Sequence, residues 1–443
     1  MTANTFYAGY TADFDNRLSS FPNKNIYFAL FTFHYCSDRI WDGKKYPKGD
    51  FIKMALLTQE DRKYTTPEDI CGHLGDEYDK FFGAIVPPIF QNSLFVQPTE
   101  KNGVDSNGYV YTRSSNPTIE IVERKVAALE GGDGALCFSS GMAAISSAIL
   151  YFVTANSHMV LVSTSYGGTL SLIREYMHEK FNIDYTLVDG ESIAEIETAI
   201  RPDTKLIYVE SPSSIVFRMQ DLDAVAALAK KHGIGTVIDN TYATPLHQQP
   251  LKHGIDITCH TASKYMGGHS DIVAGVLAAK EEIITSIQNR ERMVLGNNMD
   301  PHQAWLMLRG LRTLPIRLKQ HGESGRKVAA FLENHPKIEQ VFYPGSATYT
   351  QPELFEKYLS GTNGLMSFSL RGKGDNRMKL INELHLFQNG CSWGGFESLC
   401  TMAGYSEIKD GLVPHDLIRI HVGLENVDSL IADLAQALDK LDI

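Results

Sequence analysis

The chain is 443 residues long and carries a formal net charge of -11, with 52 acidic against 41 basic side chains. That length exceeds what one hydrophobic core fills, which points to two packed domains, and an acidic balance with no long block of like charge argues against a nucleic-acid-binding surface. The six cysteines, Cys36, Cys71, Cys137, Cys259, Cys391 and Cys400, form no C-x-x-C pair. Neither a disulfide framework nor a zinc knuckle is indicated, and a reducing cytoplasmic setting is the expectation.

Residues 1–53 stand apart from the rest, with 13 of the 53 being Phe, Tyr or Trp and no clean helical or strand period. One expectation is an ordered extension that packs on the body or on a partner subunit, as aromatic-rich arms do. The other makes Met54 the natural first residue, because Lys48, Gly49 and Asp50 could be encoded by a purine-rich stretch resembling a bacterial ribosome-binding site. The most apolar early run, 26–33, is too short to span a bilayer and is not followed by a small-residue cleavage site, so no membrane anchor or export signal is expected.

From about residue 116 the pattern becomes strand, glycine-rich turn, helix, repeated several times, which predicts an α/β fold with a mostly parallel sheet covered by helices. Short buried strands are predicted over 135–138, 159–162, 184–188, 206–209, 236–238 and 273–278. Amphipathic helices are predicted over 192–200 and 222–232, the second stopping at Gly233. The character changes near 310–320, where a long helical stretch and then strands over 338–342, 365–370 and 417–422 predict a smaller α+β domain. The expected division is 116–312 and 313–443.

Lys264 is the candidate catalytic residue. It lies in HTASKYMGGHSD (260–271) after a β-like run, flanked by the hydroxyls of Thr261 and Ser263. Gly267 and Gly268 thin the following turn so that a flat ligand can approach backbone. An amine beside a phosphate-friendly loop suggests a Schiff base to pyridoxal phosphate. In FSSGMAAISSAIL (138–150) a small-residue turn opens a helix, where the amides of Gly141 and Met142 would face an anion. An ordinary strand-to-helix turn would look the same in isolation.

Asp239 in VIDNTYATP (237–245) ends an apolar strand, where α/β sheets bind ligands, and its carboxylate can hold a pyridine nitrogen protonated. Tyr166, in STSYGGT (163–169), could lie flat over a heteroaromatic ring, or could simply be a core tyrosine. Arg419, mid-strand in IRIHVGLE (418–425), needs a buried partner, either an amino acid's carboxylate or a structural acid. His253, Cys259, His260, His269 and Asp271 crowd one region but match no metal-ligand spacing, so no metal is expected. GGDG (131–134) precedes a strand instead of following one and is not a dinucleotide fingerprint.

Taken together these motifs resemble the Cys/Met-metabolism family of pyridoxal-phosphate enzymes of fold type I, from about Gly83 to the end. The landmarks, in order, are VPPIF (86–90), YTRSSNPT (111–118), ALEGG (128–132), SSGMAA (139–144), SYGGT (165–169), ESPSS (210–214), DNTYATP (239–245), HTASKYMGGHSD, RGLRTLPIRL (309–318), SWGGFESL (392–399) and IRIHVGLE. The resemblance implies an aspartate-aminotransferase-like large domain, with Lys264 as the Schiff-base lysine, Asp239 as the pyridine partner and Tyr166 stacked on the ring. It implies phosphate held by Gly141, Met142, Ser263 and Thr261, and a substrate carboxylate held by Arg419 and Ser392.

Tyr111 and Arg113 match a pair that reaches the phosphate of a neighbouring subunit. Residues 54–115 would therefore form an arm, and a homotetramer built as a dimer of dimers is implied. Within the family the chain looks closest to the cystathionine β-lyase branch, through Trp393, Ser214, Ile215 and the run RGLRTL followed by RLKQH. YGGT, NPT and Ser114 pull away from it, while Cys391 replaces a Glu common in cystathionine-handling γ-acting enzymes and so weakens the γ-type assignment. The expected substrate is a small sulfur-containing amino acid, L-cystathionine or a related cysteine thioether, cleaved by β-elimination, with γ-elimination or γ-replacement on homoserine or methionine derivatives as the alternative and a non-catalytic homologue as a remote one.

Overall fold

Alternation along the strands sorts their side chains into two separate cores. Val160, Val162, Ile207, Val209 and Ile238 pack on one face of the main sheet, and Met159, Leu161, Leu206, Tyr208 and Val237 on the other. A sheet buried on both sides needs apolar residues at consecutive positions, which is why these strands read as unbroken hydrophobic runs. The computed structural model describes residues 53–372, 376–403, 413–414 and 416–443. The aromatic-rich stretch 1–52, on which the extension and Met54-start expectations fall, lies outside the described residues.

The seven strands are β1 (Gly134–Phe138), β2 (His158–Val162), β3 (Asp184–Val188), β4 (Thr204–Glu210), β5 (Gly235–Asp239), β6 (Ile257–Thr261) and β7 (Gly275–Ala279). Their order is β1-β7-β6-β5-β4-β2-β3. β7 runs antiparallel between β1 and β6, and the other six strands are parallel. Helix α1 (Pro117–Glu130) covers β1 on one face and α2 (Gly141–Phe152) covers β6 and β7 on the other. Asn116 caps α1 by accepting the Thr118 N–H, Pro117 supplies a preset first turn, and Gly131 (φ 73°) ends the helix in the left-handed conformation. Helix α3 (Leu222–His232) has the predicted bounds, with the Asp221 side chain at its start and Gly233 (φ 65°) at its end.

Two further helices, α4 (Pro301–Arg312) and α5 (Leu314–Glu333), meet at Thr313. Beyond them lies a second sheet of β8 (Ile338–Phe342), β9 (Leu365–Leu370), β10 (Gln388–Asn389), β11 (Leu399–Met402) and β12 (Ile418–His421), in the order β10-β11-β12-β9-β8. It is antiparallel except between β10 and β11, and it buries Phe368, Ile418 and Ile420 with Leu430, Leu434 and Leu438 of α6 (Val427–Asp439).

The predicted strand over 273–278 begins two residues later than expected. Val273 is exposed, and the residues before Gly275 belong to the loop that follows Lys264. No helix among the described residues is long and apolar enough to cross a membrane.

Candidate active site

β1, β2, β4, β5 and β6 all end on the same edge of the sheet, the edge where parallel α/β sheets bind ligands. Asp239 ends β5 and stands in register with Glu210 at the end of β4, and both are buried. Thr241 serves Asp239 twice, through its N–H (2.9 Å) and its hydroxyl, and the Thr241 Oγ1 accepts the Thr261 N–H (2.8 Å). Burial raises the Asp239 carboxyl above its ordinary range, opposed by the Thr241 hydrogen bonds and by the charges of His260 and Lys264. Burial, then the neighbouring Asp239, raises Glu210 as well. Two carboxylates side by side in a desolvated site are stabilised by a cation in front of them, which is what a protonated pyridine supplies.

The N-terminus of α2 is the part of the site that could hold an anion. Ser140 Oγ accepts the Ala143 N–H (3.1 Å), and among the described residues the Gly141 and Met142 amides have no partner. Thr261 presses on this turn so closely that a Cβ on Gly141 would sit 2.0 Å from Thr261 Oγ1. Tyr166 follows β2, and a Cβ on Gly168 would lie 2.5 Å from its ring and 3.2 Å from Met142 Sδ. The tyrosine ring therefore lies across Gly168 beside the helix start, with 49% of the residue's surface exposed.

Lys264 sits in the loop after β6, its Nζ donating to Ser392 Oγ (2.7 Å) and lying 5.4 Å from the centre of the Trp393 ring. The lysine is lowered to about 8, first by burial and then by Arg419. Gly394 (φ 85°) lets the SWGG loop rest directly on the lysine backbone, since a Cβ there would be 2.6 Å from Tyr265 N. Arg419 projects from β12 and donates to Ser214 O (3.1 Å) and Cys391 O (2.6 Å). Ser263 holds the loop together, its hydroxyl accepting the Ala274 N–H (2.9 Å).

Tyr111 and Arg113 stand apart from this group. Arg113 donates to Met293 O (2.7 Å) and lies 5.5 Å from the Tyr111 ring centre. With Asn92, Asn298 and Asp300 the pair lines a separate cavity of about 470 Å3. The crowded histidines are engaged elsewhere: His253 with Asp223 (2.8 Å), His260 with Glu130, and His269 with Gly267 O (2.8 Å).

Three residues of the site escape sequence reasoning: Glu210, Thr241 and Gly394. Glu210 carried a usable signal, since it ends an apolar strand just as Asp239 does. The donor set suits a flat, cationic heteroaromatic ring that carries an anionic arm: an amide cradle at one end, paired carboxyls at the other, and a tyrosine ring and an amine alongside.

The comparisons with known proteins agree with that chemistry. The model of the Cys/Met metabolism PLP-dependent enzyme family matches residues 69–439. L-methionine gamma-lyase of Porphyromonas gingivalis is 39% identical over 387 residues, 83% of this chain and 96% of that protein. Cystathionine beta-lyase of Lactococcus lactis subsp. cremoris is 36% identical over 382 residues, covering 83% and 97%. The crystal structure of cystathionine gamma-lyase from Lactobacillus plantarum complexed with L-serine superposes with a TM-score of 0.78 at 33% identity, covering 84% of this chain and 98% of that one. The chain belongs to the Cys/Met metabolism family of pyridoxal-phosphate-dependent enzymes.

Proposed function

We propose that this protein is a carbon–sulfur lyase that cleaves L-cystathionine or a related cysteine thioether at Cβ, releasing a thiol, pyruvate and ammonia. The observation that carries the reading is the lysine of lowered basicity placed between a buried carboxylate and an arginine on the opposite domain's sheet. Bound pyridoxal phosphate supplies an electron sink for the pair left at Cα when its proton departs.

The residues do the rest. Gly141 and Met142 amides and the Thr261 hydroxyl hold the phosphate, and Asp239 keeps the ring nitrogen protonated. Tyr166 covers the ring face. Arg419, with Ser392, fixes the substrate carboxylate and so aims Cα–H toward Lys264. The neutral Lys264 amine removes that proton, and its lowered basicity leaves it free to do so near neutral pH. Tyr166 or the newly protonated Lys264 then returns a proton to the leaving sulfur.

Trp393, packed against Lys264, and Ser214 and Ile215 beside Arg419 support cleavage at Cβ through their likeness to the β-lyase branch. A second reading, γ-elimination to 2-oxobutyrate, is favoured by the γ-lyase names of two of the relatives above. Cys391 weighs against it, since it stands before Ser392 where many cystathionine-handling γ-acting enzymes carry a Glu.

Tyr111 and Arg113 serve the site of a second copy in this proposal. The segment that carries them exposes Phe82, Ile85, Leu94 and Val96, and a concentration of exposed large apolar side chains in one segment suits an interface. A dimer, and from it a dimer of dimers, is the proposed assembly.

The test is to incubate the holoenzyme separately with cystathionine, cystine, methionine and O-acetylhomoserine and to identify the keto acid and thiol. Pyruvate from cystathionine or cystine supports β-cleavage. Mainly 2-oxobutyrate overturns it in favour of γ-cleavage, and turnover by Lys264→Ala equal to wild type would overturn both.

A further inference from the structure

Glu210 is a buried carboxylate to which the proposed reaction assigns no task. It is 4% exposed, ends β4, and lies in register beside Asp239. Its two oxygens reach different segments: Oε2 accepts the backbone N–H of Tyr166 (2.5 Å) and Oε1 the backbone N–H of Ser214 (2.9 Å). The Ser214 carbonyl in turn receives Arg419 Nη1 (3.1 Å). One side chain thus ties the turn that carries the ring-covering tyrosine to the turn that seats the arginine.

The two turns follow different strands, β2 and β4, and Arg419 comes from the other sheet. No other described hydrogen bond joins the Tyr166 turn to the Ser214 turn. Both contacts need acceptor oxygens, so a donor at either position would oppose a backbone N–H. A carboxylate meets both demands, and an amide meets only one.

We propose that Glu210 is a positioning residue that holds Tyr166 and Arg419 in one arrangement, coupling the face over the cofactor ring to the substrate-carboxylate clamp. The inference rests on the lyase reading above and adds a specificity element to it. It acts through the Tyr166 and Ser214 backbones and touches neither substrate nor cofactor.

The experiment compares wild type with Glu210→Gln in the holoenzyme. Expected are a KM for the preferred thioether raised at least about tenfold with kcat changed less than about threefold, and a pyridoxal phosphate dissociation constant raised by a similar factor, as fits losing one buried hydrogen bond. In an Arg419→Lys background the KM effect of Glu210→Gln shrinks, because the arginine it positions is gone. A variant with wild-type KM and cofactor affinity, or one that only melts earlier, overturns the proposal; so does strict additivity with Arg419→Lys.

Should the glutamine variant fail to fold, Glu210→Asp replaces it. Shorter by one methylene, it reaches only one of the two N–H groups and shows the same direction of change. If wild type releases no keto acid from any thioether, the lyase reading fails, and the cofactor dissociation constant of Glu210→Gln still decides the role of Glu210.

Discussion

In the cofactor-free protein Lys264 titrates near 8 instead of 10.5, so below about pH 8 it is a cation and above it a neutral amine. At pH 7 the neutral fraction rises from about 1 in 3,000 to about 1 in 10, roughly 300-fold more reactive amine than an ordinary lysine presents. Burial is the larger cause, and the Arg419 guanidinium adds to it, while Asp239 opposes. Reductive methylation of apoprotein with formaldehyde and cyanoborohydride, with the Lys264 peptide quantified by mass spectrometry, reads this directly. The rate should climb about tenfold per pH unit up to about 8 and then level off. Arg419→Gln removes the opposing cation, so the midpoint should move up and labelling at pH 7 should slow. A Lys264 rate still climbing tenfold per unit above pH 9 in the wild type would refute the electrostatic account, and an unmoved midpoint in Arg419→Gln would remove the arginine from it.

Gly141→Ala forces a methyl group into Thr261 at the anion cradle; the expected cost is about 1–3 kcal/mol of stability together with weaker cofactor retention, measured by melting and by equilibrium dialysis. Thr241→Val strips Asp239 of a hydroxyl donor and leaves the Thr261 N–H without its acceptor. A loss of about 1–3 kcal/mol in melting experiments is expected, with faster release of pyridoxal phosphate on dilution. Gly394→Ala must both abandon a left-handed backbone and clear the Lys264–Tyr265 peptide. It should shift the SWGG loop away from the lysine, and kcat should fall more than tenfold while the secondary-structure content seen by circular dichroism is kept.

The sequence made some elements legible because local physics alone sets their bounds. Helix α3 has a carboxylate cap and a glycine stop, and β3, β8 and β9 are short runs bounded by turn residues on both sides, so their ends coincide with the predicted ones. β7 starts later than its apolar pattern predicts because Val273 continues that pattern while the chain is still in the loop anchored by Ser263. The short strands β10 and β11 carry no period of their own and form only against β12.

The same distinction runs through the site. Lys264, Asp239 and Arg419 announce themselves because their side chains are costly to place without a task. Glu210 and Thr241 act on backbone groups of residues 20 to 44 positions away, and no spacing rule reveals a partner that only the sheet brings near. Tyr111 and Arg113 are a further case, since the proposed use of that pair lies on another molecule and one chain's packing leaves Tyr111 exposed and Arg113 half-buried.

The single reversed strand has a consequence for how the enzyme is made. β1 carries the turn proposed to bind the phosphate, yet its ladder partner is β7, and Phe138 pairs with Gly275 across more than a hundred intervening residues. While the chain emerges from the ribosome, β1 has no edge to join until β7 has followed, and closing so long a loop is slow. The cradle for the phosphate and the loop bearing Lys264 are therefore completed in one late event. A truncated or stalled product ending before β7 would carry every strand that bears a parallel-edge residue and still lack a place for the cofactor, so pyridoxal phosphate would capture only chains that have finished this sheet.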